Sequence, residues 1–98
     1  MSKNLDVFLT SLCGVCPPRR LPPALAGLWL GMKGKWGEAH EIVDEDEDWR
    51  GALVHAWLLR SAGDQQGADY WYERAGVKPG CGDVENEARC IASILIDG

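Results

Sequence analysis

Residues 63–76 read Gly63-Asp64-Gln65-Gln66-Gly67-Ala68-Asp69-Tyr70-Trp71-Tyr72-Glu73-Arg74-Ala75-Gly76. Ala68, Trp71, Tyr72 and Ala75 keep the helical period, and no strand-like alternation competes with it. Asp64 is an N-cap residue for a helix from about Gln65 to Ala75, because its carboxylate can accept from the unpaired N–H groups of the first turn. Gly76 ends that helix. Gly63 supplies the left-handed residue that ends the helix before it.

Working outward, a second stretch repeats the design. Gly34-Lys35-Trp36-Gly37-Glu38-Ala39 precedes Gly63-Asp64-Gln65-Gln66-Gly67-Ala68 by 29 residues. Glycine permits the turn, and alanine five residues on lets two antiparallel helices approach closely. The rest of the chain carries the same period. Leu5, Phe8, Leu9 and Leu12 form one stripe, capped by Asn4 or Ser2 and stopped near Cys13-Gly14 by Pro17-Pro18. Arg19 and Arg20 lie in a linker. Pro22 and Pro23 open a helix carrying Ala24, Leu25, Leu28, Trp29 and Met32, which Gly31 weakens and Gly34 ends. A shorter helix runs from Trp36 to Val43. Asp48 caps the next, from Trp49 to Ala62. Val77 to Gly82 is a loop, and Asp83 caps a last helix to about Ile96 with Val84, Ala88, Ile91 and Leu95 inward.

This pattern resembles the tetratricopeptide and Sel1-like repeat families. Gly63-Asp64, Ala68, Trp71-Tyr72, Ala75-Gly76 and Pro79 carry the resemblance in the second unit. Gly34, Trp36 and Ala39 carry it in the first, where Val43 replaces the later aromatic. It covers about residues 24–79. The stretches Ala39-His40-Glu41, Val54-His55-Ala56 and Tyr70-Trp71-Tyr72 also resemble a family of small uncharacterised bacterial proteins, a resemblance that names no activity. The repeat resemblance implies an all-α single domain, residues 1–98, of stacked antiparallel hairpins. The hairpins would span about 22–44 and 49–76, with flanking helices at about 4–13 and 83–96.

Composition narrows function. The chain has 15 acidic and 10 basic residues, a net charge of −5, 46% apolar residues and five Trp. Five of the acids are consecutive, Asp44 to Asp48, so the excess charge belongs to one connector, read as a solvated junction rather than a calcium loop. No clustered basic face exists to neutralise phosphates, which argues against a nucleic-acid partner. No apolar run reaches the ~18–20 residues of a membrane span. The N-terminus lacks the apolar core of a signal peptide, so a cytoplasmic location with reduced thiols is expected.

Three groups carry possible chemistry. Cys13-Gly14-Val15-Cys16 is a CxxC pair, and Cys81 and Cys90 are the other thiols available to a zinc ion. Their spacing does not suit a closed tetrahedral site, so neither a metal nor a cofactor is expected. His40, Glu41 and His55 form a possible polar or metal-binding site if their helices are neighbours. The plain alternative is a hydrogen-bonded core His55, at a place where the resembled repeats carry an inward Leu. The third group is Trp57, Arg60, Ser61, Tyr70 and Arg74, an aromatic-and-arginine composition typical of binding hot spots, and the repeat resemblance implies that Trp57, Arg60 and Ser61 line an inner groove. Trp71 and Tyr72 are expected in the core, and Trp57 and Tyr70 partly exposed. With no nucleophile elbow and no phosphate-binding loop, a protein or peptide partner, or self-association through the groove, is expected rather than catalysis.

Overall fold

The structure is a computed structural model and describes residues 3–18, 20–78 and 82–97. Among these residues there are six helices and no strand. They are α1 (Lys3–Ser11), α2 (Pro23–Met32), α3 (Trp36–Asp44), α4 (Trp49–Ser61), α5 (Gln65–Ala75) and α6 (Val84–Asp97).

Helix α4 is the hub. It touches α2, α3, α5 and α6, and consequently Gly51 to Leu58 are all buried. A helix enclosed on several sides loses the polar face of a surface helix. The closest helix pairs are α4 with α5 and α2 with α3, while α1 lies against α6. The core joins Leu28 and Trp29 of α2, Ala39 and Val43 of α3, and Leu53, Val54 and Leu58 of α4. Tyr72 of α5 and Ala88, Ile91 and Ala92 of α6 also belong to it, with Phe8 of α1 at its edge.

Local chemistry explains most boundaries. Asp64 accepts from the Gly67 N–H at 2.9 Å, and Asp83 from the Asn86 N–H at 2.7 Å, each capping its helix. Asp48 stands at the N-cap position of α4 but makes no capping hydrogen bond. Its carboxylate instead pairs with Arg50 at 2.7 Å, which holds its pKa below the usual carboxylate value. Asp46 accepts from the Asp48 N–H at 3.0 Å, so the acidic connector folds partly onto itself. Helix α3 runs one residue past the expected Val43, to Asp44. At the other end, α1 is tied to α2 by Trp29 Nε1, which donates to Ser11 Oγ at 3.0 Å.

Glycines on α2 set how closely the helices approach, a role different from the helix-weakening one expected of Gly31. A Cβ at Gly27 would stand 2.5 Å from Val43 Cγ1, and one at Gly31 would stand 2.6 Å from the Trp57 ring. Val43 is stiff at χ1 and 2% exposed, so it cannot swing aside. Gly27→Ala is therefore expected to destabilise by about 1 kcal/mol, overpacking outweighing the helix-propensity gain. Gly37→Ala, where a Cβ meets nothing within 4 Å, is expected to stabilise by up to ~1 kcal/mol. Urea denaturation of the two variants checks both signs.

Candidate functional site

Trp36, His40 and Asp44 are spaced four residues apart on α3 and so lie along one face of it. That face meets His55 of α4, whose other side meets Trp71 of α5. The result is a continuous row of rings. Trp36 stacks on His40 at 4.8 Å and 11°. His40 meets His55 edge-on at 4.6 Å and 84°. His55 stacks on Trp71 at 4.0 Å and 13°. The row is anchored at its α3 end, where Trp36 Nε1 donates to the Leu58 carbonyl at 2.9 Å. Beyond Trp71, Arg74 lies over both Trp71 and the exposed Tyr70, at 5.1 and 5.8 Å from their ring centres.

The expected approach of His40 and His55 is thus present, but the carboxylate beside them is Asp44. Asp44 offers an oxygen, and each histidine a nitrogen, all within 4.8 Å of one another. Glu41 is exposed and outside this group. The reason is helical geometry: a residue one position on points about a quarter-turn away, whereas a residue four positions on shares the face. Asp44 therefore serves α3 and the site as well as the acidic connector.

His55 is 4% exposed, and its Nδ1 is buried with no hydrogen-bond partner. The reading of His55 as a hydrogen-bonded core histidine is not met at this atom. A buried polar atom without a partner is costly and uncommon in folded proteins. Burial pushes the His55 pKa down, and the neighbouring His40 adds to the shift, while Asp44 opposes it. His55 is therefore held as neutral imidazole, the form that offers a lone pair.

The residues expected to form a groove do not stand together. Trp57 is 3% exposed rather than partly exposed, and its indole donates to the Val84 carbonyl at 2.8 Å. Helix α6 covers it. Arg60 is engaged by Glu87, and also donates to the Gly82 carbonyl. Glu87, 3% exposed, accepts from the buried Tyr72 hydroxyl as well. Burial, then this hydrogen bond, drives the Tyr72 pKa well up. Ser61 donates to the Leu58 carbonyl at 2.7 Å and lines a cleft with Trp57, Gly31, Met32 and Val84. Tyr70 and Arg74 are not part of that cleft. They stay exposed on α5 at the end of the ring row, and Arg74 donates to the Tyr70 hydroxyl at 3.2 Å. Of the core expectations, Tyr72 is buried and Trp71 half-buried.

Cys13, Cys16 and Cys90 are exposed free thiols. Cys81 and Pro79 lie outside the described residues. Among the described residues, the cluster of three metal-ligating types is His40, Asp44 and His55. No helix among them is long and apolar enough to cross a membrane. Comparison of the chain with protein families, curated proteins and solved structures finds no match in any of the three.

Proposed function

We propose that this is a small helical binding protein whose working site is the ring row of α3, α4 and α5, where a ligand is bonded by imidazole nitrogen. The observation that carries the reading is the partnerless buried Nδ1 of His55 at the centre of the row. A histidine kept at that cost, at a position where the resembled repeats have an inward Leu, suits a ligand that supplies the missing partner. The sequence carries no nucleophile elbow and no phosphate-binding glycine loop, so binding is favoured over catalysis. The test uses histidine side-chain ¹⁵N spectra of the labelled protein, recorded with and without the low-molecular-weight fraction of a cell extract. His40 and His55 resonances are expected to move in the wild type, and His40 to stay still in His55→Leu. Unmoved wild-type resonances would remove the reading.

A second reading is favoured by Tyr70 and Arg74. Tyr70 is 54% exposed, and Arg74 lies over it and over Trp71. Exposed Tyr beside Arg is the composition of protein-binding hot spots. In this reading, α2–α3 and α4–α5 are two stacked repeat hairpins of the tetratricopeptide/Sel1 type, and the α5 face takes a protein or peptide partner or a second copy. The cleft at Trp57 and Ser61 is a weaker candidate, because Arg60 is already engaged by Glu87. Loss of a captured partner or of self-association in Tyr70→Ala/Arg74→Ala, read by light scattering and cross-linking, would support it. Unchanged behaviour would remove it.

A further inference from the structure

We infer that His40, Asp44 and His55 form a binding site for a divalent first-row transition ion of the zinc type. This rests on the reading of the ring row as a ligand site and names its ligand class. The donor set is two imidazoles and one carboxylate. That combination suits zinc and its first-row neighbours, whereas calcium and magnesium take all-oxygen sets. His40 and Asp44 stand four residues apart on one helix, so α3 alone supplies a two-point grip, and α4 adds the third ligand.

The distances are close to what such an ion needs. The three donor atoms lie within 4.8 Å of one another. Bonds of ~2.0–2.1 Å in tetrahedral or octahedral geometry bring ligand atoms to roughly 3–3.4 Å from each other. The closure required is small, and Asp44, the exposed member, is the side chain with room to make it. The rings themselves are held from outside: Trp36 is fastened to the Leu58 carbonyl and backs His40, while Trp71 backs His55. Orientation of ligands by surrounding groups is what gives a metal site its affinity.

Two further observations point to a cation. The buried Nδ1 of His55 has no hydrogen-bond partner, so a bound Lewis acid would complete the bonding of this ring. The acids that follow Asp44, Glu45 to Asp48, also border the site, and their field raises the local concentration of cations. Three protein ligands leave at least one coordination position for water or a small anion, the pattern of an open site.

The test is calorimetric titration with Zn²⁺ of the tag-free chain carrying Cys13→Ser and Cys16→Ser, so that this pair of thiols does not compete. One equivalent is expected to bind. His40→Gln, Asp44→Asn and His55→Leu are each expected to weaken binding by more than the ~10–100-fold that loss of an outer-shell partner costs. Glu41→Gln is expected to change nothing, and Mg²⁺ to bind far more weakly. Circular dichroism identifies any variant that fails to fold; Asp44→Asn, at an exposed position, keeps the comparison valid. Zinc affinity unaffected by the three substitutions would overturn the inference, as would no binding by the folded parent. Extract passed over a chelating resin separates the two readings. If it still moves the His40 and His55 resonances, the ion is wrong and the ligand site stands. If neither extract nor zinc moves them, both readings fall.

Discussion

Glu87→Ala is expected to lower the unfolding free energy by about 3 kcal/mol, a large share of the ~5–15 kcal/mol that holds a domain together. Glu87 is 3% exposed and is the shared acceptor for the Arg60 guanidinium and the Tyr72 hydroxyl. Its removal leaves a guanidinium and a buried hydroxyl without their acceptor, which is what makes breaking a buried pair cost ~3–5 kcal/mol. The lower end applies because the Arg60 side chain is 20% exposed and regains some water. For a chain of 98 residues this corresponds to a fall in melting temperature of roughly 12–24 °C. Tyr72→Phe, which spares the Arg60 pair, is expected to cost only about 1 kcal/mol. Urea midpoints at constant slope measure both. A Glu87→Ala loss below about 0.5 kcal/mol, the range of an ordinary surface substitution, would mean that α6 is held by its apolar face alone.

His55→Leu is expected to have two effects of opposite sign. Without ligand it stabilises by about 1 kcal/mol. Removing a buried partnerless nitrogen returns ~1–3 kcal/mol, and losing the stack on Trp71 takes back ~0.5–1.5 kcal/mol. With zinc at 100 times its dissociation constant, the wild type gains ~2.7 kcal/mol that the variant cannot, and the order reverses. The pH dependence of the metal-free protein follows from the lowered His55 pKa. The unfolded chain takes up a proton near the ordinary histidine value of ~6.5, while the folded chain resists. Stability therefore falls as pH drops below that value, by at most ~1.4 kcal/mol per pH unit for one proton. His55→Leu lacks this component. Parallel denaturation at pH 7 and pH 5.5 measures it, and identical pH dependence in the two proteins would contradict the buried neutral imidazole.

Much of the architecture is legible along the chain because its determinants are local. Asp64 and Asp83 cap the helices they precede, Gly63 and Gly76 take the left-handed conformations that end helices, and the apolar stripes carry the period. What escapes local reading depends on which helix lies across from which. Trp57 looks like a half-exposed groove residue until α6 covers it. Arg60 looks free until Glu87, 27 residues away, engages it. Gly31 looks like a helix-weakening residue until the Trp57 ring arrives against it.

The site shows the same division in a single residue. His40 and His55 stand out as the histidines of the chain, and their meeting follows once α3 and α4 are neighbours. Asp44 was readable in principle through its four-residue spacing from His40. It is masked by the run Asp44 to Asp48, where one carboxylate looks like its solvated neighbours, and by its place one residue beyond Val43, where the apolar stripe of α3 ends. Trp36 is also separated from His40 by four residues, and the same stripe would have found it. The partnerless nitrogen of His55 has no sequence signal, because it depends on what α3 and α5 fail to offer.

The direct measurement is the anomalous scattering of crystals grown with Zn²⁺. The account predicts a peak between His40, Asp44 and His55, about 2.0–2.1 Å from an imidazole nitrogen of each histidine. A peak confined to the cysteines, with the three side chains left as they stand without metal, would contradict it.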